Sequence, residues 1–255
     1  MLSCGPTGSG KTTTLYAFMN LLNKPEVNMT TIEDPIEYNM PYVNQTQINP
    51  QAGITFASGL RALLRQDPNI IMVGEIRDAE TADVAVQAAL TGHLLLSSLH
   101  TNDAPTSVPR LFDLNVAPFL VSSVLNLVVA QRLVRKICET CVYSYESGPE
   151  VEEVVKAQFK EADIPFEKKF VPKILYRGKG CLACGGTGYR GRMGIFEMLE
   201  VTDAVKKIIG GPDFDLSALR NEARNSGMKT MFEDGLRKVE LALTTFEEVL
   251  RVIRE

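Results

Sequence analysis

Apolar residues recur along the chain in short, β-branched runs that are typical of strands buried on both faces of a sheet. Such strands are predicted at residues 29–32, 69–75 and 92–102, and the apolar start at Met1 and Leu2 is typical of the end of another. Between these runs, helical spacing is found in the segments 13–18 and 78–89. The alternation of strands and helices predicts an α/β fold.

Beyond residue 103, apolar residues at spacings of three and four predict mainly helices. Residues 104–135 are predicted to form two helices, the second over residues 121–135, with basic residues at its end that a helix dipole would favour. An acidic amphipathic segment, a short strand and a C-terminal helical lobe follow. The segment is predicted at residues 150–162, the strand at 193–199, and the helices at 202–209, 216–226 and 245–254, with N-caps at Asp215 and at Thr244 or Thr245.

A further helix is predicted over residues 55–65, where Arg61 and Arg65 are four positions apart and share one face. Such a face could bind a phosphate or a neighbouring subunit. A solvated basic stripe explains the pattern equally well, so both alternatives stay open.

The clearest chemical motif is the stretch GPTGSGKT at residues 5–12, which has the form G-x-x-x-x-G-K-[ST] of a phosphate-binding loop. Its glycines let backbone N–H groups approach a polyphosphate, and the helix that follows directs its positive end at the same anion. We expect Lys11 to reach the β- and γ-phosphates and the Thr12 hydroxyl to bind Mg²⁺. The predicted ATP-binding residues are Gly5, Pro6, Thr7, Gly8, Ser9, Gly10, Lys11, Thr12 and Thr13.

Acidic residues follow the strand predicted over residues 29–32, at Glu33, Asp34 and Glu37. The carboxyl ends of strands face the crevice in which an α/β sheet binds ligands, so these acids could orient metal-bound water. Glu33 is the one that we take as a catalytic candidate. The alternative is an acidic surface turn, which Pro35 favours.

Glu75 closes an apolar run in the position of a Walker B acid. We expect its carboxylate to activate the attacking water and to share Mg²⁺ with Thr12. Arg77, two residues later, is a candidate for stabilising charge on the transferred phosphoryl group. The alternative for Glu75 is a helix-capping acid.

Both histidines of the chain flank the third predicted strand. His100 lies at its C-terminal end, on the same rim as Glu33 and Glu75, where it could sense the γ-phosphate through a hydrogen bond. His93 lies at the opposite end and is expected to be structural.

Four of the five cysteines form two C-x-x-C pairs, Cys138 with Cys141 and Cys181 with Cys184. Two such knuckles complete a Cys₄ site for structural zinc. Disulfides are the poorer interpretation in a reducing cytoplasm, and a redox C-x-x-C would not account for two pairs. Four protein ligands leave the metal no open position, so we expect no catalysis from it. The fifth cysteine, Cys4, is explained by packing.

The composition is that of a soluble globular protein, with 45% hydrophobic and 23% charged residues and a net charge of −4. A negative net charge disfavours nucleic-acid binding driven by the overall charge of the protein, but it does not exclude binding in a local basic channel. The most apolar run, residues 116–130, is too short and too polar to span a bilayer, so no membrane insertion is expected. An ATP-dependent enzyme is expected in the cytoplasm. Because only residues 1–3 precede the phosphate-binding loop, we expect the C-terminal part of a longer protein.

These motifs resemble those of the secretion ATPase superfamily, which drives type II secretion and type IV pilus assembly. Four motifs match in order: the Walker A GPTGSGKT at 5–12, the Asp box TTIEDPIE at 30–37, the atypical Walker B DPNIIMVGEIRD at 67–78 and the His box GHLLLSSLHTN at 92–102. The tetracysteine element and the run GYRGRMGIFEML at 188–199 resemble the extension-type members. Pilus retraction ATPases generally lack the zinc knuckles, so the resemblance favours pilus extension or pseudopilus-driven secretion.

The resemblance implies a RecA-like P-loop NTPase core and, in the full-length protein, a homo-hexameric ring with a mobile N-terminal PAS-like domain that contributes arginines to the nucleotide site. It further implies that ATP hydrolysis is coupled to an inner-membrane platform protein and a cytoplasmic adaptor, at the inner face of the cytoplasmic membrane, without a nucleic-acid partner. The family's Asp-box acids, Walker B glutamate and His-box histidine correspond to Glu33, Asp34, Glu37, Glu75 and His100.

Three regions are therefore expected: an ATPase core over 1–137, a tetracysteine zinc element over 138–187 and a C-terminal strand with a helical lobe over 188–255. Two other functions stay open. One is a ring-assembly module that binds nucleotide with little hydrolysis, which the acids at the strand ends disfavour. The other is a RecA-class nucleic-acid translocase, which the net charge and the resemblance disfavour.

Overall fold

Strands and helices alternate through the first part of the chain and are followed by a mixed region and by helices. The computed structural model describes residues 1–254. The strands are β1 (Leu2–Cys4), β2 (Met29–Glu33), β3 (Val43–Gln47), β4 (Ile70–Val73), β5 (Leu94–Leu99), β6 (Leu127–Ile137), β7 (Val142–Glu146), β8 (Ile174–Gly178) and β9 (Tyr189–Glu200). The helices are α1 (Lys11–Leu22), α2 (Phe56–Leu63), α3 (Ala79–Leu90), α4 (Ser107–Asp113), α5 (Pro118–Val124), α6 (Pro149–Glu161), α7 (Asp203–Ile209), α8 (Leu216–Asn225), α9 (Met231–Glu240) and α10 (Phe246–Arg254).

Seven strands form one sheet in the order β3-β2-β4-β5-β1-β6-β9. The pairs from β3 across to β6 are parallel, and the register sets Ile32 opposite Val73 and Cys4 opposite Leu99. Because parallel strands run in one direction, the C-terminal ends of β1, β2, β4 and β5 open on the same rim of the sheet. The predicted α/β fold is confirmed, and this rim is where the predicted chemistry falls.

The central strands are buried on both faces, as their uninterrupted apolar sequences predict. Every residue of β1, β2 and β4 is buried. Helix α1 packs its apolar side on one face of the sheet. The cluster that results contains Leu15, Tyr16, Met19, Met29, Ile70, Met72 and Leu96. Met19 is fully buried, so its truncation to alanine would cost about 2–5 kcal/mol.

The helix predicted over residues 121–135 was wrong. Helix α5 ends at Val124, and the following apolar residues form β6, which pairs with β1. A short apolar run that is buried on both faces has no periodicity that separates strand from helix, and here pairing with β1 decides the outcome. The basic residues near position 135 therefore lie on a strand and not at a helix end.

The chain divides into two compact units. The first comprises residues 1–131 and 197–228, and it contains α1 to α5, α7, α8 and most of the sheet. The second comprises residues 132–196 and 229–255. It contains α6, α9, α10 and the antiparallel pair β7 and β8, and Phe159 packs there against Phe166, Phe170 and Phe232. The three functional regions expected from the sequence stay a prediction.

The predicted helices after residue 200 are confirmed, but one helix was missed. Asp215 caps α8 by accepting from two backbone N–H groups, and the Thr245 hydroxyl accepts from Glu248 N at the start of α10. The missed helix, α9, begins with a capping box between Thr230 and Glu233. Over residues 1–254, no helix has both the length and the apolar character needed to cross a bilayer.

Candidate nucleotide-binding site

Residues 5–10 form a tight loop between β1 and α1. Gly5 has φ 145°, and a Cβ on it would lie 2.5 Å from both the Gln131 carbonyl oxygen and Ser9 Oγ, so only glycine fits there. Gly10 precedes α1 in the left-handed region, with φ 90°, and no side chain of the described residues caps this helix. A helix start whose first N–H groups are left to a ligand is suited to an anion.

The side chains of the loop support the same interpretation. Lys11 Nζ donates to the carbonyl oxygens of Gly5 (2.7 Å) and Pro6 (3.1 Å), which holds the ammonium over the loop. Burial lowers the pKa of Lys11, and the nearby Cys4 and Glu75 side chains oppose that shift. Ser9 Oγ is buried and has no hydrogen-bond partner in the part of the chain that the structure describes. The loop, the cation and the open helix start together fit a polyphosphate.

Three of the predicted catalytic residues meet at the neighbouring strand ends. Glu75 follows β4 by two residues, and its side chain is only 11% exposed. Its Oε2 atom lies 2.6 Å from Arg77 Nε and 3.4 Å from His100 Nε2. His100 directly follows β5, the strand between β4 and the strand that enters the loop. The structure thus brings a carboxylate, a guanidinium and an imidazole together beside the loop.

Glu33 ends β2 on the same rim but in different surroundings. Its buried carboxylate accepts hydrogen bonds from the Tyr16 hydroxyl, from Thr31 Oγ1 at 2.5 Å and from Gln45 Nε2 at 3.1 Å. Burial and the bond to Glu33 raise the pKa of Tyr16 to about 12. The other acids of this segment, Asp34 and Glu37, are exposed.

The remaining candidates from the sequence lie away from this cluster. His93 bonds through Nδ1 to the Ala88 carbonyl at the end of α3, which is a structural contact. Arg61 on α2 pairs with Glu80 at 2.8 Å, and Arg65 donates to the Arg61 carbonyl.

Sequence reasoning missed the polar residues that support the site. Tyr16, Gln45 and Gln131 each bond to a predicted site residue, and each comes from a different element. For Gln131 the only signal is a polar residue within an apolar run. The sequence alone does not say which loop such a residue contacts.

The four paired cysteines gather into one cluster in the second unit. Their Sγ atoms all lie within 4.8 Å of one another, with Cys138 to Cys181 at 3.9 Å and Cys141 to Cys184 at 4.0 Å. These separations are about twice a disulfide bond length and match the edge of a tetrahedron with Zn–S bonds of about 2.3 Å. Backbone N–H groups of Cys181 and Gly188 lower the pKa of Cys184 to about 6, which favours the thiolate. The cluster is compatible with zinc.

The chain has close relatives of known name. The family described as type II/IV secretion system protein matches residues 1–251. The type IV pilus assembly ATPase PilB of Thermus thermophilus is 50% identical over 250 residues, which are 98% of this chain and 27% of that protein. The type II secretion system ATPase E of Vibrio cholerae is 49% identical over 255 residues, which are 100% of this chain and 48% of that protein. The chain therefore spans about half the length, or less, of the curated relatives it matches.

Solved structures show the same fold. The pilus retraction motor PilT with bound ADP matches with a TM-score of 0.70 and 28% identity, covering 98% of this chain and 60% of that chain. The ATPase DotB of Legionella pneumophila matches with a TM-score of 0.69 and 24% identity, covering 99% of this chain and 59% of that chain.

Proposed function

The chain belongs to the family of type II/IV secretion system proteins, and from this premise we propose that it is an ATP-hydrolysing motor domain that powers the assembly of pilin or pseudopilin subunits. The observation that carries the proposal is the placement of Glu75, Arg77 and His100 on the rim where the phosphate-binding loop opens. Relatives of the chain are named as a type IV pilus assembly ATPase and a type II secretion system ATPase, which supports the same function.

Each residue of the site has a role that its surroundings allow. The loop and Lys11 would hold the phosphates, and the exposed Thr12 hydroxyl together with Glu75 would hold Mg²⁺. The metal, when bound, would neutralise charge on the β- and γ-phosphates. The contacts of Glu75 with Arg77 and His100 both use Oε2, so we assign Oε1 as the atom that accepts a proton from the attacking water.

The two side chains beside Glu75, the Arg77 guanidinium and the His100 imidazole, act on the phosphoryl group. Arg77 is exposed and stabilises the charge that develops on the transferred oxygens. His100, half exposed, donates a hydrogen bond that reports the γ-phosphate. Glu33 keeps part of its acceptor capacity beyond its three donors and orients metal-bound water.

The proposal extends to the cofactors and partners. Cys138, Cys141, Cys181 and Cys184 would hold a structural zinc ion, which their close grouping supports. The full-length protein works as a homo-hexamer in the cytoplasm, at the inner face of the cytoplasmic membrane. It passes its motion to an inner-membrane platform protein, with a cytoplasmic adaptor.

Two variants test the motor. Lys11→Ala should abolish binding of a fluorescent ATP analogue, because the loop loses its cation. Glu75→Gln should keep binding but lower phosphate release at least 100-fold, because an amide cannot take the proton. Normal turnover in Glu75→Gln would remove this residue from the mechanism.

A second candidate is a ring-assembly module that binds nucleotide but hydrolyses little. The 2.6 Å contact between Arg77 and Glu75 favours it, because a carboxylate engaged by a cation is a less available acceptor. Nucleotide-dependent assembly that is equal in the wild type and in Glu75→Gln, with negligible turnover in both, would favour this module over the motor. Turnover that rises with added DNA would instead indicate a nucleic-acid translocase.

A further inference from the structure

A buried glutamine of β6 lies against the phosphate-binding loop. Gln131 is 1% exposed, and its Nε2 donates to the Ser9 carbonyl oxygen at 2.8 Å. Its Oε1 receives a long bond from Ser3 Oγ at 3.5 Å. A buried amide is costly unless it is paired, so this side chain is committed to the loop and to β1.

The main chain of Gln131 also contacts the loop. Its carbonyl oxygen is one of the atoms that a Cβ on Gly5 would meet at 2.5 Å. The same residue therefore packs against the first residue of the loop with its backbone and holds the fifth with its side chain. Within the loop itself, Ser9 N donates to Pro6 O only at 3.3 Å.

The bond to the Ser9 carbonyl fixes one peptide plane. In a planar trans peptide the C=O and the N–H point in opposite directions. With the Ser9 oxygen held toward Gln131 of β6, the N–H of Gly10 is directed to the opposite face of the loop. A carbonyl turned to that face would repel a phosphate.

We propose that Gln131 is a positioning residue of the phosphate-binding loop, which holds the Ser9–Gly10 peptide in the orientation that offers its N–H to the β-phosphate side of a nucleotide. The inference rests on the proposed function, since it concerns the same loop. Gln131 acts through Ser9 and does not touch the nucleotide. The sequence marks Gln131 only as a polar residue within an apolar run, which does not indicate this role.

The test measures nucleotide affinity separately from stability. Gln131→Met keeps the length of the side chain but removes the donor, and it should weaken binding of Mg·ADP and Mg·ATP roughly 5- to 10-fold, the worth of one hydrogen bond. Gln87→Met is the matched control, because Gln87 is exposed on α3 and its side-chain amide donates to the neighbouring Asp83, away from the loop. It should bind as the wild type does. A residue that only supports the fold would lower the melting temperature of the apo protein without changing the dissociation constant.

A second variant adds a readout in pH. In Q131E the introduced carboxylate cannot donate, so binding should be weak at neutral pH. When that carboxyl is protonated it can donate to the Ser9 carbonyl, so the ratio of the variant's dissociation constant to that of the wild type should fall as the pH is lowered. If Gln131→Met does not fold, the pH dependence of Q131E still tests the positioning role of Gln131.

The outcomes are distinguishable from a failure of the proposed function. A wild-type chain that binds no nucleotide would refute the proposed function itself. A wild type that binds, together with Gln131→Met at unchanged affinity, would overturn the inference alone. A Q131E ratio that is independent of pH would overturn it as well.

Discussion

Glu33 and Glu75 end adjacent strands, yet their environments assign them different tasks. Glu75 faces a guanidinium and an imidazole, whereas Glu33 is surrounded by neutral donors from three different elements. A carboxylate beside a guanidinium and an imidazole, both of which can also reach a substrate, is suited to reactive chemistry. One that is held by fixed neutral donors is suited to orienting water, because its position is set before the ligand arrives.

The Tyr16 hydroxyl provides a test of the Glu33 role. Tyr16→Phe keeps the ring in the core but leaves the buried Glu33 carboxylate with one donor fewer, which should cost about 1–3 kcal/mol of unfolding free energy. If Glu33 orients water, kcat should also fall while ATP affinity stays unchanged. Urea unfolding and phosphate release measure the two effects. A loss of stability with normal kcat would restrict Glu33 to a framework role.

Glu248 gives a prediction for stability in acid. Burial alone would raise the pKa of Glu248, but hydrogen bonds from Arg135 and Arg251 outweigh burial and lower it to about 2, from an ordinary value of 4.5. A carboxyl whose folded pKa is depressed stabilises the protein above its unfolded pKa, and that contribution is lost as the pH falls from about 4.5 toward about 2.

We therefore expect Glu248→Gln to be less stable than the wild type near pH 6 and to lose less stability on acidification. The difference in unfolding free energy between the two proteins should shrink as the pH is lowered from 6 toward about 2, the folded pKa of Glu248. Parallel curves would show that Glu248 contributes no pH-dependent stability.

The sequence predicts an element correctly where the residues of that element alone determine its structure. The loop at 5–12, the buried strands β2, β4 and β5 and the caps of α8 and α10 all depend on local patterns, and each was found. β6 was mistaken for a helix because its identity depends on pairing with β1, which lies far away in the sequence; Leu2, for example, pairs with Val128.

The candidate site likewise contains residues that the sequence predicts and contacts that it does not. Glu75 and His100 were expected on one rim because parallel strands share their C-terminal edge, and the structure places them 3.4 Å apart. The contact of Tyr16 with Glu33 depends on α1 packing beside the end of β2. The contact of Gln131 with Ser9 depends on β6 lying beside the phosphate-binding loop. Single-sequence patterns carry no information on either arrangement.

The loop after β5 is tied to β9 through one buried acid. Glu197 accepts a hydrogen bond from Ala104 N at 2.8 Å, four residues after His100. Glu197→Ala would leave this buried N–H without an acceptor, which should cost about 1–3 kcal/mol and lower turnover by loosening His100. Glu197→Gln keeps a carbonyl oxygen at this place and should recover much of both. Equal effects of the two variants, measured by urea unfolding and phosphate release, would refute this tether.

The two compact units divide the chemistry between them. All residues of the candidate nucleotide site belong to the first unit, and all four clustered cysteines belong to the second. The second unit has its own aromatic core around Phe159, but its two-stranded sheet is too small to be stable by itself. Cys141 precedes β7 and Cys181 follows β8 by three residues, at the end of the pair where Val142 lies opposite Gly178. A metal bound by these cysteines would tie the two strands together at that end and supply the missing constraint.

Removal of the metal should therefore affect one unit far more than the other. We expect about one zinc per chain by elemental analysis and, after chelation, faster amide hydrogen exchange across residues 138–185. The affinity for Mg·ADP should stay within about twofold of that of the untreated protein, because none of the residues expected to bind the nucleotide is a zinc ligand. The Cys181→Ser variant should reproduce the exchange pattern without a chelator, whereas Cys4→Ser, which alters the cysteine outside the cluster, should not. A purified chain that contains no metal, has four free thiols and shows unchanged amide hydrogen exchange after chelator treatment would exclude a zinc site. Loss of nucleotide binding on chelation would show that nucleotide binding depends on the metal.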